Sequence, residues 1–247
     1  MIAGLVLLSV PIVIFAHANF LISTFLFFGV PSAYLIWRKP DNFRKATVAG
    51  IIIGLIFGFS FDFVAEFNHA WGWAVNFALP GTIFGVVSLD VLVWFFFWVF
   101  LIVAYYEYFI ENDRSTRISK NAKWAVGAGV FMIIYVIVAR KFFPALLAIK
   151  YAYAELGIIV FILCALMLYR NHNIIPKVIR LLPFFIFMYL TYEITALYMN
   201  LWTFPGAYVG LVTINTIVFP LEELLVWIIS SSAIVAVYYE FFIDDYK

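Results

Sequence analysis

Long runs of apolar residues constrain this chain more than any other feature. A helix that crosses the hydrocarbon core of a bilayer needs about 20 mainly apolar residues. Such runs cover residues 2–16, 18–37, 46–67, 82–109, 123–140, 144–169, 178–201 and 207–242. The chain is 66% hydrophobic and 12% charged, whereas soluble domains are about 45–50% apolar and about 25% charged. We therefore predict an all-α, polytopic transmembrane helical bundle.

The number of spans depends on the first segment, which is short and contains Pro11. We predict about eight spans, and seven if the first two segments form one broken unit. The segment has no Lys or Arg before its apolar run, whereas a cleavable signal normally carries a positive n-region. We therefore expect a retained first helix.

Basic residues predict the orientation of the chain. They cluster at residues 38–45, 114–123 and 170–180, which fall on one side of an eight-span bundle. The positive-inside rule makes that side cytoplasmic. We expect a multi-pass protein of the cell membrane with both termini in the cytoplasm. Trp71, Trp73 and Trp202 lie in the outer loops, where tryptophan is typical of a membrane interface.

The chain also resembles itself at long range. Residues 92–94 match 225–227, and residues 104–107 match 237–240, both at an offset of 133. Asp62 precedes Trp71 by nine residues, just as Glu193 precedes Trp202. This regular spacing predicts two repeats, residues 1–115 and 116–247, with four spans each. An even number of spans per repeat makes the two repeats parallel.

The last apolar segment is too long for one straight span. Residues 207–242 would form a helix of roughly 54 Å, against about 30 Å of hydrocarbon. Proline suits the first turn of a helix, so Pro220 is expected at a helix start or kink. Glu222 and Glu223 would then lie in the following turn. The preceding residues 207–219 would be re-entrant, interfacial or a separate half-helix.

Acidic residues are unusually common inside the predicted spans. Only Lys150 lies clearly within a span as a basic residue, so most of these acids lack a cationic partner. A carboxyl group without a partner in low dielectric tends to stay protonated, and a protonated carboxyl group can donate its proton. The pattern indicates intramembrane acid catalysis or a proton pathway. The acids concerned are Asp62, Glu66, Asp90, Glu155, Glu193, Glu222 and Glu223.

Structural roles are open to the same residues. Glu66 lies near a helix end and could be hydrated, while Glu155 could bond across helices. Asp62 and Asp90 could be structural relics of the repeat. Adjacent helix residues point about 100° apart, so Glu222 and Glu223 are expected to face different neighbours. Glu193 is the candidate partner for one of them.

Aromatic residues near these acids suit the chemistry of a cation. The faces of aromatic rings stabilise positive charge. The candidates close in sequence to the acids are Tyr192, Tyr198, Trp202 and Trp227. Other chemistries are not indicated. No Gly-rich dinucleotide fingerprint is present, the three histidines are scattered, and Cys164 is the single cysteine. We expect no metal site, no flavin or nicotinamide domain, and no nucleic-acid binding.

Residues 220–225, taken with Tyr192, Glu193 and Trp202, resemble the integral-membrane lycopene cyclase family of archaea, some actinobacteria and fungi, in its fused two-domain form. The Pro-x-Glu-Glu motif of that family falls on Pro220, Glu222 and Glu223. Its aromatic-Asp motif is matched approximately by Tyr192 and Glu193.

The first repeat departs from this motif. Phe61 and Asp62 match the aromatic-Asp pattern, but Asp90 is the single acid where Pro-x-Glu-Glu should stand. The resemblance therefore favours one catalytic site, mostly in the second repeat, with the first repeat completing the pocket.

The resemblance implies conversion of the ψ-ends of lycopene to β-ionone rings, as in β-carotene biosynthesis. Glu222 or Glu223 would protonate the terminal alkene, and Glu193 or the other glutamate would accept the ring proton. The reaction is a non-redox isomerisation and requires no cofactor. Lycopene and membrane lipid are the expected partners. Two alternatives stay open, namely another carotenoid or isoprenoid enzyme such as a hydratase, and a proton-coupled transporter.

Overall fold

The computed structural model describes residues 1–73, 78–111 and 115–245. Arg114, one of the basic loop residues, lies outside this part. Seven helices in the described residues are long and apolar enough to cross a membrane, which confirms an all-α polytopic bundle. They are α2 (Phe20–Arg38), α3 (Pro40–Phe67), α4 (Leu89–Glu111), α5 (Ala122–Phe142), α6 (Ala152–Arg170), α7 (His172–Tyr198) and α8 (Glu223–Phe242).

The first apolar segment forms a shorter helix, α1 (Ile2–Phe15). Its 14 residues extend roughly 21 Å, which is less than the hydrocarbon thickness. His17 turns the chain with a φ of 46°, and the Asn19 side chain accepts a hydrogen bond from the Ile22 amide at 2.9 Å to cap α2. The segments 2–16 and 18–37 are thus two helices joined by a tight turn.

Helix α4 lies at the centre of the bundle, packed against α2, α3 and α8. Its contact with α3 is close because a Cβ atom on Gly54 would come within 2.6 Å of the Phe95 carbonyl oxygen. Small residues allow such close packing in membrane helices. Helices α5 and α6 are peripheral and expose apolar side chains over much of their surface, as lipid-facing helices do.

Three short two-stranded sheets occur in the described residues. One pairs the loop after α3 with the loop after α7, because Trp73 in β1 lies opposite Trp202 in β4. The other two are hairpins, and each directly precedes a helix, α4 or α8. The strands are β1 (Gly72–Trp73), β2 (Thr82–Ile83), β3 (Val87–Ser88), β4 (Trp202–Thr203), β5 (Leu211–Ile214) and β6 (Ile217–Pro220).

The expected break at Pro220 is present. Pro220 ends β6, and helical backbone begins at the next residue. The preceding segment is neither a half-helix nor a re-entrant helix, because residues 211–220 form a hairpin. Asn215 makes its turn with a φ of 56°, a conformation that asparagine tolerates better than most residues.

A buried lysine lies at the bundle end where α3 starts and α4 finishes. Lys45 Nζ is 3.1 Å from Glu107 Oε1 and 2.6 Å from Asp244 Oδ1. The Tyr239 hydroxyl donates a hydrogen bond to Glu107. We call these four residues the Lys45 cluster. Its members come from both predicted repeats.

The Lys177 cluster has the same arrangement. Lys177 Nζ is 3.0 Å from Glu240 Oε1 and also contacts Glu111, while the Tyr106 hydroxyl donates to Glu240. Each member of one cluster therefore has a counterpart of the same kind in the other, taken from the opposite half of the chain. Two parallel repeats around an axis near the membrane normal would produce this reciprocal pattern. The division into residues 1–115 and 116–247 stays a prediction that the pattern favours.

We predict that Lys45→Met destabilises the bundle, because it leaves the buried carboxyl groups of Glu107 and Asp244 without their lysine. Breaking a buried ion pair in this way costs about 3–5 kcal/mol. The apparent melting temperature of the purified protein in detergent should fall, whereas Lys123→Met, at an exposed position, should leave it almost unchanged. Equal melting temperatures for the two variants would contradict a stabilising role of the cluster.

Candidate functional site

A small cavity lies between the two halves, at the bundle end opposite the lysine clusters. Its volume is about 40 Å³. Three carboxyl groups line it: Asp62 from α3, Glu193 from α7 and Glu223 from the start of α8. No lysine or arginine belongs to the described lining. The sequence expectation of intramembrane acids without a cationic partner therefore holds for these three residues.

Aromatic side chains form most of the remaining wall. Trp227 stacks on Trp94 with ring centroids 4.8 Å apart and on Trp98 at 4.6 Å. The cavity is thus an acid-containing, largely aromatic space inside a membrane bundle. Its other aromatic lining residues are Phe20, Trp71, Trp73, Phe95, Tyr153, Trp202 and Phe204.

Asp62 and Glu193 are held in the same way. Trp71 Nε1 donates to Asp62 Oδ1 at 3.0 Å, and Trp202 Nε1 donates to Glu193 Oε1 at 3.0 Å. The nine-residue spacing seen in the sequence therefore has a structural cause. In each half, the acid lies on a helix and accepts a hydrogen bond from the tryptophan indole of the loop that follows the helix. Trp71 and Trp202 consequently turn inward to the cavity, and their position at the depth of a membrane interface stays a prediction.

Glu223 has two polar neighbours inside the cavity wall. The Tyr153 hydroxyl donates a hydrogen bond to Glu223, and the side chains of Glu223 and Glu193 interact with each other. Two carboxyl groups in contact repel strongly when both are ionised in low-dielectric surroundings, so such a pair holds a proton. This is the arrangement from which a proton can be donated to a bound molecule.

Glu222 and Asp90 lie outside the lining of the cavity. Glu222 Oε1 accepts a hydrogen bond from the Val209 amide at 2.7 Å. Asp90 accepts from the Ala78 amide at 2.6 Å and the Leu79 amide at 3.1 Å. Each carboxylate therefore ties down the loop that leads into the hairpin before its helix. By this shared role, the first-half counterpart of Glu222 is Asp90.

A π-helical segment explains how Glu223 reaches the cavity. Residues Glu223–Ser230 are π-helical, whereas Leu89–Tyr105 is regular α-helix. Trp227 stands five positions after Glu222, but Trp94 stands four positions after Asp90. A π-bulge accommodates one extra residue and occurs often at functional sites.

With that extra residue allowed for, the first-half position that corresponds to Glu223 holds Val91. Both side chains line the cavity. The acid therefore comes from the second half, and the first half contributes an apolar side chain at the matching place.

The remaining candidates have supporting positions. Tyr192 is buried behind the wall, with its ring centroid 5.4 Å from that of Trp202. Pro220 is buried at the end of β6. Glu66 is half-buried and accepts a hydrogen bond from Trp73, so it is not simply hydrated. Glu155 is exposed on α6. Tyr198 is exposed at the end of α7 and lies outside the lining of the cavity.

A loop covers the outer side of the cavity. The Tyr208 hydroxyl donates to the Ala70 carbonyl at 2.8 Å and accepts from the Gly206 amide at 2.7 Å. Burial raises the pKa of Tyr208 to about 12, so this hydroxyl keeps its proton at neutral pH. Phe204 of the same loop lines the cavity. The loop thus ties the two halves together above the acids.

Several of these residues carry little signal in the sequence for a place in the site. Trp94 stands out only as a match in the repeat, and Trp71 only by its spacing from Asp62 and its position in a loop. Tyr153 carried no sequence signal, because it reaches Glu223 from a helix 70 positions away. Distant partners of this kind follow from packing and cannot be read from a local pattern.

No protein-family model, curated protein or solved structure matches this chain. The fold and the cavity define a class, a multi-pass helical membrane protein with an aromatic cavity that contains carboxyl groups. The resemblance to lycopene cyclases remains a hypothesis based on the residues of the motif.

We predict that Glu222→Ala loosens the loop before β5. The Val209 amide loses its carboxylate acceptor, and hydrogen bonds to charged groups contribute enough for exchange to quicken roughly 10- to 100-fold. Hydrogen–deuterium exchange of peptides that contain Val209 measures this. Glu222→Gln should quicken exchange less, because its amide oxygen can still accept. Unchanged exchange in Glu222→Ala would contradict the anchoring role.

Proposed function

We propose that the protein is a lycopene β-cyclase that works within the membrane. The observation that carries the proposal is that Glu193 and Glu223 line the same aromatic cavity. Cyclisation of a polyene by acid requires a proton donor, a wall that stabilises a cation, and little water. The cavity residues offer the first two, and the position of the cavity in a membrane bundle favours the third.

Glu223 is the proposed acid. It lines the cavity, whereas Glu222 of the same motif is bonded to the Val209 amide outside it. Protonation of the terminal double bond of lycopene by the Glu223 carboxyl group forms a carbon–hydrogen bond and leaves a tertiary carbocation. The neighbouring double bond then attacks this cation and closes the six-membered ring.

The positive charge moves into the new ring during closure. Trp94, Trp202 and Trp227 line the cavity, and their π faces stabilise such a cation. Loss of a ring proton to a carboxylate, Glu193 or the Glu223 that has just donated, completes the β-ionone ring. Protons gained and lost balance, so the reaction is an isomerisation. Exclusion of water prevents capture of the cation as an alcohol.

Lycopene would enter from the lipid, which surrounds the exposed apolar faces of the bundle. The cavity of about 40 Å³ is much smaller than ligand pockets of roughly 300–1,000 Å³. Binding therefore requires side chains or the covering loop to move apart. We place the protein in the cell membrane with its basic loops in the cytoplasm. Both termini lie in the cytoplasm in this arrangement when the short helix α1 crosses the membrane together with the seven longer helices.

The test is expression in lycopene-accumulating cells followed by pigment analysis. The wild-type chain should convert lycopene to products with β-rings. Glu223→Gln should lower conversion roughly 100-fold or more, as expected for loss of a general acid, and Glu193→Gln should also lower it strongly. Glu222→Gln should retain a larger part of the activity, and Glu66→Gln should be tolerated, at equal protein levels.

Three results would contradict the proposal. Full activity of Glu223→Gln would show that the acid is another group. A hydroxylated acyclic product from the wild-type chain would indicate a hydratase on this scaffold. Unchanged lycopene in cells that hold the folded protein would rule out the cyclase assignment.

A further inference from the structure

Tyr153 is the one residue that α6 contributes to the described lining of the cavity. It lies in the first turn of a helix whose surface is otherwise largely exposed to lipid. Its side chain is 1% exposed, and its hydroxyl donates to Glu223 Oε2. A buried hydroxyl aimed at the cavity acid is more than packing requires, because a phenylalanine would fill the same volume.

The first half of the chain contains such a phenylalanine at the matching position. The Tyr153 ring packs edge-on against Trp71, with centroids 5.4 Å apart at 85°. At the start of α2, Phe20 packs in the same edge-on way against Trp202, at 5.9 Å and 74°. The counterpart of Tyr153 by position and contact is therefore Phe20.

The hydroxyl and the acid vary together between the halves. Where the second half has Tyr153 and Glu223, the first half has Phe20 and Val91, and all four side chains line the same cavity. The hydroxyl is present on the side that carries the acid and absent on the side that lacks it. This joint difference links the function of the hydroxyl to Glu223.

A carboxyl group without a fixed partner rotates about its last carbon–carbon bond, and its proton can point in several directions. A donor that binds one oxygen removes this freedom and leaves the other oxygen toward the cavity. Fixed orientation of a reacting group lowers the barrier without changing the strength of binding. Glu193 interacts with the same carboxyl group, so the two contacts together define its rotation.

We propose that Tyr153 is a positioning residue that orients the Glu223 carboxyl group for proton donation to the polyene. This role rests on the proposed cyclase function. Tyr153 itself exchanges no proton with the substrate. The hydrogen bond from Tyr153 to Glu223 persists through the cycle, and Glu223 alone donates.

Tyr153→Phe, which installs the residue found in the other half, is the first test. In liposomes loaded with lycopene, kcat should fall roughly 10- to 100-fold, as expected for loss of a hydrogen bond to an ionisable group, while KM stays nearly constant. Tyr238→Phe is the matched control. This substitution removes a hydroxyl that donates to the Val160 carbonyl of α6 at 3.0 Å, away from the cavity. The Tyr238→Phe variant should retain the wild-type kcat.

Infrared spectroscopy gives a second test that needs no turnover. The carbonyl stretch of the protonated Glu223 side chain is identified as the band that Glu223→Gln removes. In Tyr153→Phe this band should move to higher wavenumber, because a hydrogen bond to the carboxyl oxygen weakens its C=O bond. In Tyr238→Phe the band should not move. If Tyr153→Phe does not fold, fluorotyrosine at position 153 provides a stronger donor and should move the band to lower wavenumber.

The outcomes separate this inference from the proposed function. An unmoved band, or a kcat in Tyr153→Phe equal to that of Tyr238→Phe, overturns the positioning role even if lycopene is cyclised. A moved band in a protein that leaves lycopene unchanged overturns the cyclase assignment and supports the orientation of Glu223 by Tyr153.

Discussion

Carboxyl groups that are removed from water must find partners, and the kind of partner differs between the two ends of this bundle. At one end the acids meet lysines: Glu107 and Asp244 pair with Lys45, and Glu240 pairs with Lys177. At the other end Asp62, Glu193 and Glu223 meet indole and phenol donors and, for two of them, each other. A lysine partner favours the ionised form of a carboxyl group, whereas a neighbouring acid favours the protonated form. The first end is therefore suited to stability, and the second to proton donation.

Matching contacts recur in the two halves of the chain at both ends of the bundle, and small departures from this match distinguish the candidate site. The reciprocal lysine clusters and the paired indole–acid bonds repeat in each half. Three features do not repeat: the π-helical segment Glu223–Ser230, the acid at its start, and the hydroxyl of Tyr153. One inserted residue in α8 brings a carboxyl group to a place where α4 presents Val91. These local changes explain why the cavity receives the Glu223 carboxyl group from one half and an apolar side chain from the other.

Much of the fold was predictable because membrane helices obey a length and polarity rule that can be read from sequence. The apolar runs correspond to α1 through α8, and the break at Pro220 was expected from the length of the last run. The hairpin at 211–220 was not, since short strands in loops have no strong local signal. Within the candidate site, Glu223 and Glu193 were indicated by the motif. The spacing of Asp62 from Trp71 suggested that these two side chains interact. Glu222 and Glu223 point about 100° apart on their helix, and the sequence does not determine which of the two faces the cavity. Tyr153 depends on the packing of α6 and could be found only from coordinates.

The central claim is that a carboxyl proton is added to a carbon atom of the polyene. Turnover of lycopene by the purified protein in deuterated buffer tests it most directly, with mass spectrometry of the product. Protonation followed by loss of a different ring proton should place one deuterium in each ring formed, at the carbon that received the proton. Deuterium should be absent from lycopene incubated with Glu223→Gln. The protein is equilibrated in the deuterated buffer beforehand and the product of the first turnover is analysed, because later turnovers can reuse a proton taken from the ring. A first-turnover cyclic product without deuterium in its ring would contradict acid catalysis by this site.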